Sequence, residues 1–207
     1  INLLDCLIES GLPLQKVLIA SSGNVYGNNE QLPIHEGLLP TPINDYGVSK
    51  YSMELAAHIR SDKLPIIISR PFNYVGVGQA EHFLIPKIVA AFRAKQTEIY
   101  LGNLDVARDF SDVRDIVWAY LKLLTCEVKT GTFNLCTGKA TSLLTVIEQL
   151  NVLSGYQIEV KVNPQFVRVN EIKTLYGDQL RLVSAIGSYQ QYTLQDTLKW
   201  MYQAPMA

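Results

Sequence analysis

The sequence predicts an α/β protein built on a parallel sheet, and three observations carry that expectation. Residues 16–21 and 65–69 are short runs rich in Val, Ile and Leu without polar alternation, the pattern of strands buried on both faces. Residues 42–60 between them have helical length and character, and a strand–helix–strand order sets the two strands parallel. Helical and strand-like segments keep alternating downstream as far as residue 153.

Taken in order, residues 2–10 read as a helix stopped at Gly11, with Pro13 just beyond. Turn residues Gly23, Asn24, Gly27, Asn28 and Asn29 follow the first strand, and Pro33, Pro40 and Pro42 keep the chain extended up to Tyr46. Pro71 breaks the second strand, and Gly76-Val77-Gly78 reads as a turn. Residues 85–92 form a helix with proline in its first turn, and residues 98–101 a strand ended by Gly102-Asn103. Residues 112–124 form an amphipathic helix with Val113, Ile116, Val117, Tyr120, Leu121 and Leu124 on one stripe. A strand at 132–136, a helix capped by Ser142 and running to 153, a strand at 158–162 and a closing helix at 194–200 complete the reading.

With 207 residues and 48% hydrophobic content the chain can bury a substantial core. The net charge of −1, with basic residues scattered, argues against nucleic acid and anionic membrane as partners. No stretch approaches the roughly 18 apolar residues of a spanning helix, and the expected location is the cytoplasm. Cys6, Cys126 and Cys136 are odd in number and far apart, which fits neither a disulfide framework nor a metal site.

The chemistry concentrates in Asp45-Tyr46-Gly47-Val48-Ser49-Lys50. On a helix, positions four apart share a face, so the Lys50 ammonium lies beside the Tyr46 phenol. A free tyrosine titrates at about 10, and a neighbouring cation favours phenolate, the form needed for proton transfer near neutral pH. A serine of the Ser21-Ser22 pair, at the end of an apolar strand, can hydrogen-bond the same carbonyl or alcohol oxygen. Together these groups form a proton relay suited to hydride chemistry.

Three linked segments, at residues 17–27, 42–50 and 66–73, resemble in order and spacing the extended short-chain dehydrogenase/reductase family. The resemblance covers nearly the whole chain. It implies a Rossmann-like doubly wound parallel sheet, of which this chain holds the carboxyl-terminal portion, with a smaller α/β substrate-binding lobe. Residues 1–75, with 103–140 returning, are expected in the dinucleotide-binding half, and 76–102 with 141–207 mainly in the substrate lobe. No glycine-rich turn of the kind that cradles a pyrophosphate is present, and the chain opens without Met in mid-helix. About 80 to 100 residues of the family's fold are therefore expected to lie outside it, judged against roughly 250 for such a domain.

The resemblance assigns Ser22, Tyr46 and Lys50 as catalytic, and Ala20, Ser21, Tyr46, Lys50, Pro71 and Phe72 to an NAD(P)H site. Family dehydratases place an acid pair directly after the catalytic serine or threonine. Here Gly23 and Asn24 stand there, and neither titrates. That departure leaves 4-keto reduction or 4-epimerisation. Residues 101–115, with Asp109-Phe110-Ser111-Asp112-Val113-Arg114-Asp115, and residues 163–178 look like reductases of 4-keto-6-deoxy sugars linked to GDP. A sugar diphosphate needs cations and polar anchors, and the expected set is Asn73, Lys87, Arg108, Arg168 and Glu171, arginine offering the planar fork that matches phosphate. The expected activity is NAD(P)H-dependent reduction of a GDP-linked 4-keto-6-deoxyhexose. The alternatives are a nucleotide-sugar 4-epimerase and an inactive fragment that binds only the sugar nucleotide. A homodimer formed by the helices at 2–10 and 42–60, through Leu3, Leu7, Met53 and Ala57, is implied by the resemblance.

Overall fold

The computed structural model describes residues 1–167 and 172–205. Helix α1 (Asn2–Glu9) leads to strand β1 (Val17–Ala20), followed at once by a 3-10 turn, Gly23–Tyr26. Helix α2 (Asp45–His58), β2 (Ile66–Pro71) and β3 (Asn73–Val75) come next, then α3 (Leu84–Arg93) and β4 (Glu98–Leu101). Short strands β5 (Ala107–Arg108) and β6 (Phe110–Asp112) precede α4 (Val113–Thr125) and β7 (Gly131–Leu135). The chain continues through β8 (Thr141–Ser142), α5 (Leu143–Ser154), β9 (Glu159–Val162), β10 (Thr174–Leu175), α6 (Leu180–Ile186) and α7 (Leu194–Gln203).

A parallel sheet in the order β1-β2-β7 forms the spine, with Val17 opposite Ile66 and Ile67 opposite Gly131. Alternation along the strands sends successive side chains to opposite faces. One face packs Leu18, Ile67, Phe133 and Leu135 against Ile116, Ala119 and Leu123 of α4. The other packs Val17, Ile19, Ile66 and Ile68 against Leu4 of α1 and Ala57 of α2. Helices on both faces are what a parallel sheet requires, and the α/β, Rossmann-type architecture follows. A separate core joins α3, α5 and α7 to β4 and β9, centred on Ile88, Phe92, Val146 and Leu150. Strands β10, β5 and β8 form a small mixed sheet, and β3 pairs with β6.

Three expectations need correction. Strand β2 does not stop before Pro71 but runs through it, paired with Leu135. The Phe72 amide donates to Leu135, so the missing N–H of Pro71 faces the β1 side, where the β1 ladder has already ended at Ser69. The stripe assigned to α4 is only partly its buried face: Ile116 is buried and Tyr120 packs against the same core as Ala119 and Leu123, whereas Val117, Leu121 and Leu124 are exposed, as is Trp118. Apolar residues surround that helix, so periodicity alone could not choose which side meets the sheet. Ala57, assigned to a dimer face, is fully buried in the core, while Leu55 and Ile59 of the same segment are exposed. Among the described residues no helix is long and apolar enough to cross a membrane.

Candidate active site

Helix α2 starts where it does because the Asn44 side chain accepts from the Gly47 amide at 2.8 Å, an N-cap that leaves Tyr46 in the first turn. Tyr46 stands 51% exposed at that end. One turn on, the Lys50 ammonium lies 5.7 Å from the centre of the Tyr46 ring and donates to the carbonyl of Ala20 at 2.9 Å. Since Ala20 is the last residue of β1, that bond ties the helix face to the carboxyl edge of the sheet, where open α/β folds bind ligands.

Ser22 follows directly and caps the 3-10 turn, its Oγ accepting from the Asn24 amide at 3.1 Å. Its hydroxyl proton remains available for a further acceptor. The neighbouring Ser21 hydroxyl is buried with no partner. Helix and turn touch through glycine: a Cβ on Gly47 would come within 2.8 Å of the Asn24 carbonyl. Gly23, where family dehydratases carry an acid, would press a Cβ to 3.2 Å from the Phe72 ring.

A cleft of 1120 Å³ opens beside this edge, and Tyr46, Asn73, Lys87 and Arg108 all line it. Lys87 donates to the Tyr100 carbonyl at 2.8 Å and lies 4.6 Å from the centre of the Phe166 ring. Arg108 Nη1 donates to the carbonyls of Ala107 and Lys173 at 2.9 and 3.2 Å. Asp105 pairs with Lys173 at 3.3 Å, and Asp109 accepts from Thr137 N, Thr137 Oγ1 and Gly138 N at 2.7, 2.7 and 2.9 Å. Burial pushes the Asp109 carboxyl above its ordinary value, and those donors offset it only in part.

Ser22, Lys50, Ala20, Ser21, Pro71 and Phe72 do not line the cleft. They cluster behind its Tyr46 end, at the carboxyl edge of β1 and β2. Arg168 and Glu171 lie outside the described residues.

Sequence reasoning missed Phe166, whose ring meets Lys87, because a lone aromatic in a short 3-10 turn, Pro164–Phe166, carries no pattern. It also missed Glu54, although a signal existed: Tyr46, Lys50 and Glu54 recur every four residues. Glu54 accepts from Arg70 Nε and Nη2 at 2.9 and 2.5 Å, with both side chains buried.

A helix-flanked parallel sheet with serine, tyrosine and lysine gathered at its carboxyl edge defines a Rossmann-type protein of the short-chain dehydrogenase/reductase class. The family model for GDP-mannose 4,6 dehydratase matches residues 1–201, and the chain belongs to that family. It is 35% identical over 203 residues to GDP-6-deoxy-D-talose 4-dehydrogenase of Aggregatibacter actinomycetemcomitans, covering 98% of this chain and 69% of that protein. GDP-6-deoxy-D-mannose reductase of Pseudomonas aeruginosa is 34% identical over 209 residues, covering 96% of this chain and 68% of the relative. The structure of RMD from Pseudomonas aeruginosa complexed with NADPH superposes with a TM-score of 0.88 at 32% identity, covering 97% of this chain and 68% of that one. The chain thus spans about two thirds of the length of these relatives.

Proposed function

We propose that this chain carries the proton-transfer and substrate-binding residues of an NAD(P)H-dependent reductase acting at C4 of a GDP-linked 4-keto-6-deoxyhexose. One observation carries the reading: the half-exposed Tyr46, with Lys50 beside it, shares a cleft wall with Asn73, Lys87 and Arg108. Phenol and cations thus meet where a sugar diphosphate needs a proton donor at one end and positive charge at the other. The names of the two curated relatives, both acting on GDP-linked 6-deoxyhexoses, support the substrate class.

The residues present fit one end of a dinucleotide. Lys50, Tyr46 and the unpartnered hydroxyl of Ser21 would hold the nicotinamide riboside, with Ala20 and the Pro71–Phe72 backbone beside it. The glycine-rich turn for the pyrophosphate is not in this sequence. NAD(P)H, when bound, supplies the hydride for C4. Tyr46 gives its proton to O4, and Ser22, already accepting from Asn24, donates its own O–H to the same oxygen. Lys50, bonded to the Ala20 carbonyl, keeps its positive charge beside the Tyr46 ring. Lys87 and Arg108 bind the diphosphate, Arg108 through its planar fork, and Asn73 bridges sugar and phosphate. Arg168 and Glu171 are proposed to join them.

Dehydration is not part of the proposal, because Gly23 and Asn24 supply neither acid nor base. We further propose two lobes, with residues 1–75 and 103–140 on the cofactor side and the remainder mainly on the substrate side. The open edge of β1 and the exposed Val117, Trp118, Leu121 and Leu124 of α4 support seating of further sheet and helix, as the greater length of the relatives allows. A cytoplasmic homodimer joined through Leu3, Leu55 and Ile59 completes the reading, since all three are exposed on α1 and the end of α2.

The test is cofactor stoichiometry with GDP-4-keto-6-deoxy-mannose and the complete enzyme. Reduction consumes NADPH in step with product. Sugar conversion with no net NADPH loss would establish an epimerase instead, and no conversion would end the proposal.

A further inference from the structure

We infer that Glu54 and Arg70 are positioning residues that set the register of helix α2 against the sheet and so hold Tyr46 in line with Ser22. The inference rests on the reductase reading for what the alignment achieves, and on the structure alone for the alignment itself.

Glu54 is 4% exposed and Arg70 6%. Their two hydrogen bonds are parallel and bidentate, the geometry in which guanidinium and carboxylate fix each other's orientation as well as distance. Arg70 is the residue of β2 just before Pro71 and Phe72, and its guanidinium carbon lies 4.7 Å from the centre of the Tyr26 ring. Tyr26 in turn donates to Asn134 Oδ1 at 2.7 Å, and Asn134 Nδ2 donates to the Ile34 carbonyl at 2.9 Å. The charge on α2 is thereby anchored through β2, the 3-10 turn and β7, three elements that end at the ligand edge. Burial pushes the Tyr26 phenol up to about 12, so this ring stays neutral and serves as packing surface for Arg70.

Tyr46, Lys50 and Glu54 occupy successive turns of one helix face. At the first, Gly47 abuts the Asn24 carbonyl; at the second, Lys50 bonds to Ala20; at the third, Glu54 holds Arg70. The first two contacts resist approach or span a single long flexible chain. The third constrains both rotation and translation of α2, because a bidentate buried pair fixes orientation as well as distance. A buried ion pair is weak evidence for stability, since apolar residues of similar volume often replace one without loss. Its place eight residues from the phenol, on the same helix face, fits a geometric role instead.

Removing one partner alone strands a buried charge and risks unfolding, so the deciding variant is Glu54→Leu with Arg70→Met. In the complete NADPH-loaded enzyme this double variant should fold, keep its KM for GDP-4-keto-6-deoxy-mannose, and lose about tenfold or more in kcat, the scale expected when reacting groups are misplaced. Wild-type kcat in the folded double variant would overturn the inference. Hydrogen exchange on the same protein gives a readout independent of any substrate. Faster exchange at residues 22–26 and 45–50, with β2–β7 protection unchanged, supports the role even if the sugar is not a substrate. Unchanged exchange in those segments would overturn it.

Discussion

Lys50 donates to the carbonyl of Ala20 at 2.9 Å while standing 5.7 Å from the centre of the Tyr46 ring. One side chain thus joins the tip of the sheet to the helix turn that presents the phenol. A lysine in that place is held by its partner rather than swinging in solvent, so its charge stays beside the phenol.

Replacing Tyr46 with Phe removes the proposed donor and leaves the ring. The expected result is a loss of about 10²–10⁴ in kcat, with little change in affinity for the sugar nucleotide. Steady-state kinetics in the complete enzyme checks both halves, and unchanged turnover would remove Tyr46 from the mechanism.

Gly47→Ala tests the contact between helix and turn. The new Cβ would fall 2.8 Å from the Asn24 carbonyl and 3.0 Å from Pro42 Cβ, so α2 must shift away from the segment bearing Ser22. A fall in kcat of about tenfold or more is expected, since small displacements of reacting groups are costly. Measuring kcat alongside a thermal melt separates this from simple unfolding: the melt should still show a cooperative folded state.

Lys87→Met and Arg108→Met should act on binding. Each removes a cation facing the cleft, and a charge-assisted bond to phosphate contributes about 1.5–3 kcal/mol. KM for the sugar nucleotide should rise roughly tenfold or more in each, with kcat far less affected. A KM that stays put in both variants would move the diphosphate elsewhere.

Asp112 sets a pH-dependent part of the stability. Burial acts to raise its carboxyl, but bonds from Arg114 and Thr197 outweigh that and hold it below its ordinary 3.8. The carboxylate accepts from Arg114 N, Nε and Nη2 at 2.8, 2.9 and 2.7 Å and from Thr197 Oγ1 at 2.7 Å, joining the start of α4 to α7. Its folded value is depressed, so the stabilisation is present above the unfolded value and lost as pH falls through the folded one. Asp112→Asn should cost about 2–3 kcal/mol at neutral pH, on the scale of hydrogen bonds to a charged group. That difference from wild type should shrink below pH 3.8, which urea melts at neutral and acid pH would show.

Much of the fold could be read directly. The runs at 16–21 and 65–69 became β1 and β2 because β-branched residues without polar alternation suit only a strand covered on both sides. Asp112 and Ser142 cap α4 and α5, and each follows from a short polar side chain before an apolar run. The buried face of α4 could not be read, because Ile116, Val117, Ala119 and Leu121 are all apolar and only the sheet beneath decides among them. Helix α6 was missed, being seven residues long with no side-chain cap.

The sequence by itself determined the chemistry on offer: a phenol and an amine one helical turn apart, a serine pair at a strand end, and no acid after it, all local consequences of spacing and residue type. Tertiary structure alone decided what meets what. Residues 46, 73, 87 and 108 come from four separate elements, and only the packing of those elements puts them on one cleft. The same holds for Glu54 and Arg70, sixteen positions apart, because a buried charge chooses its partner by proximity in space, which no periodicity along the chain records.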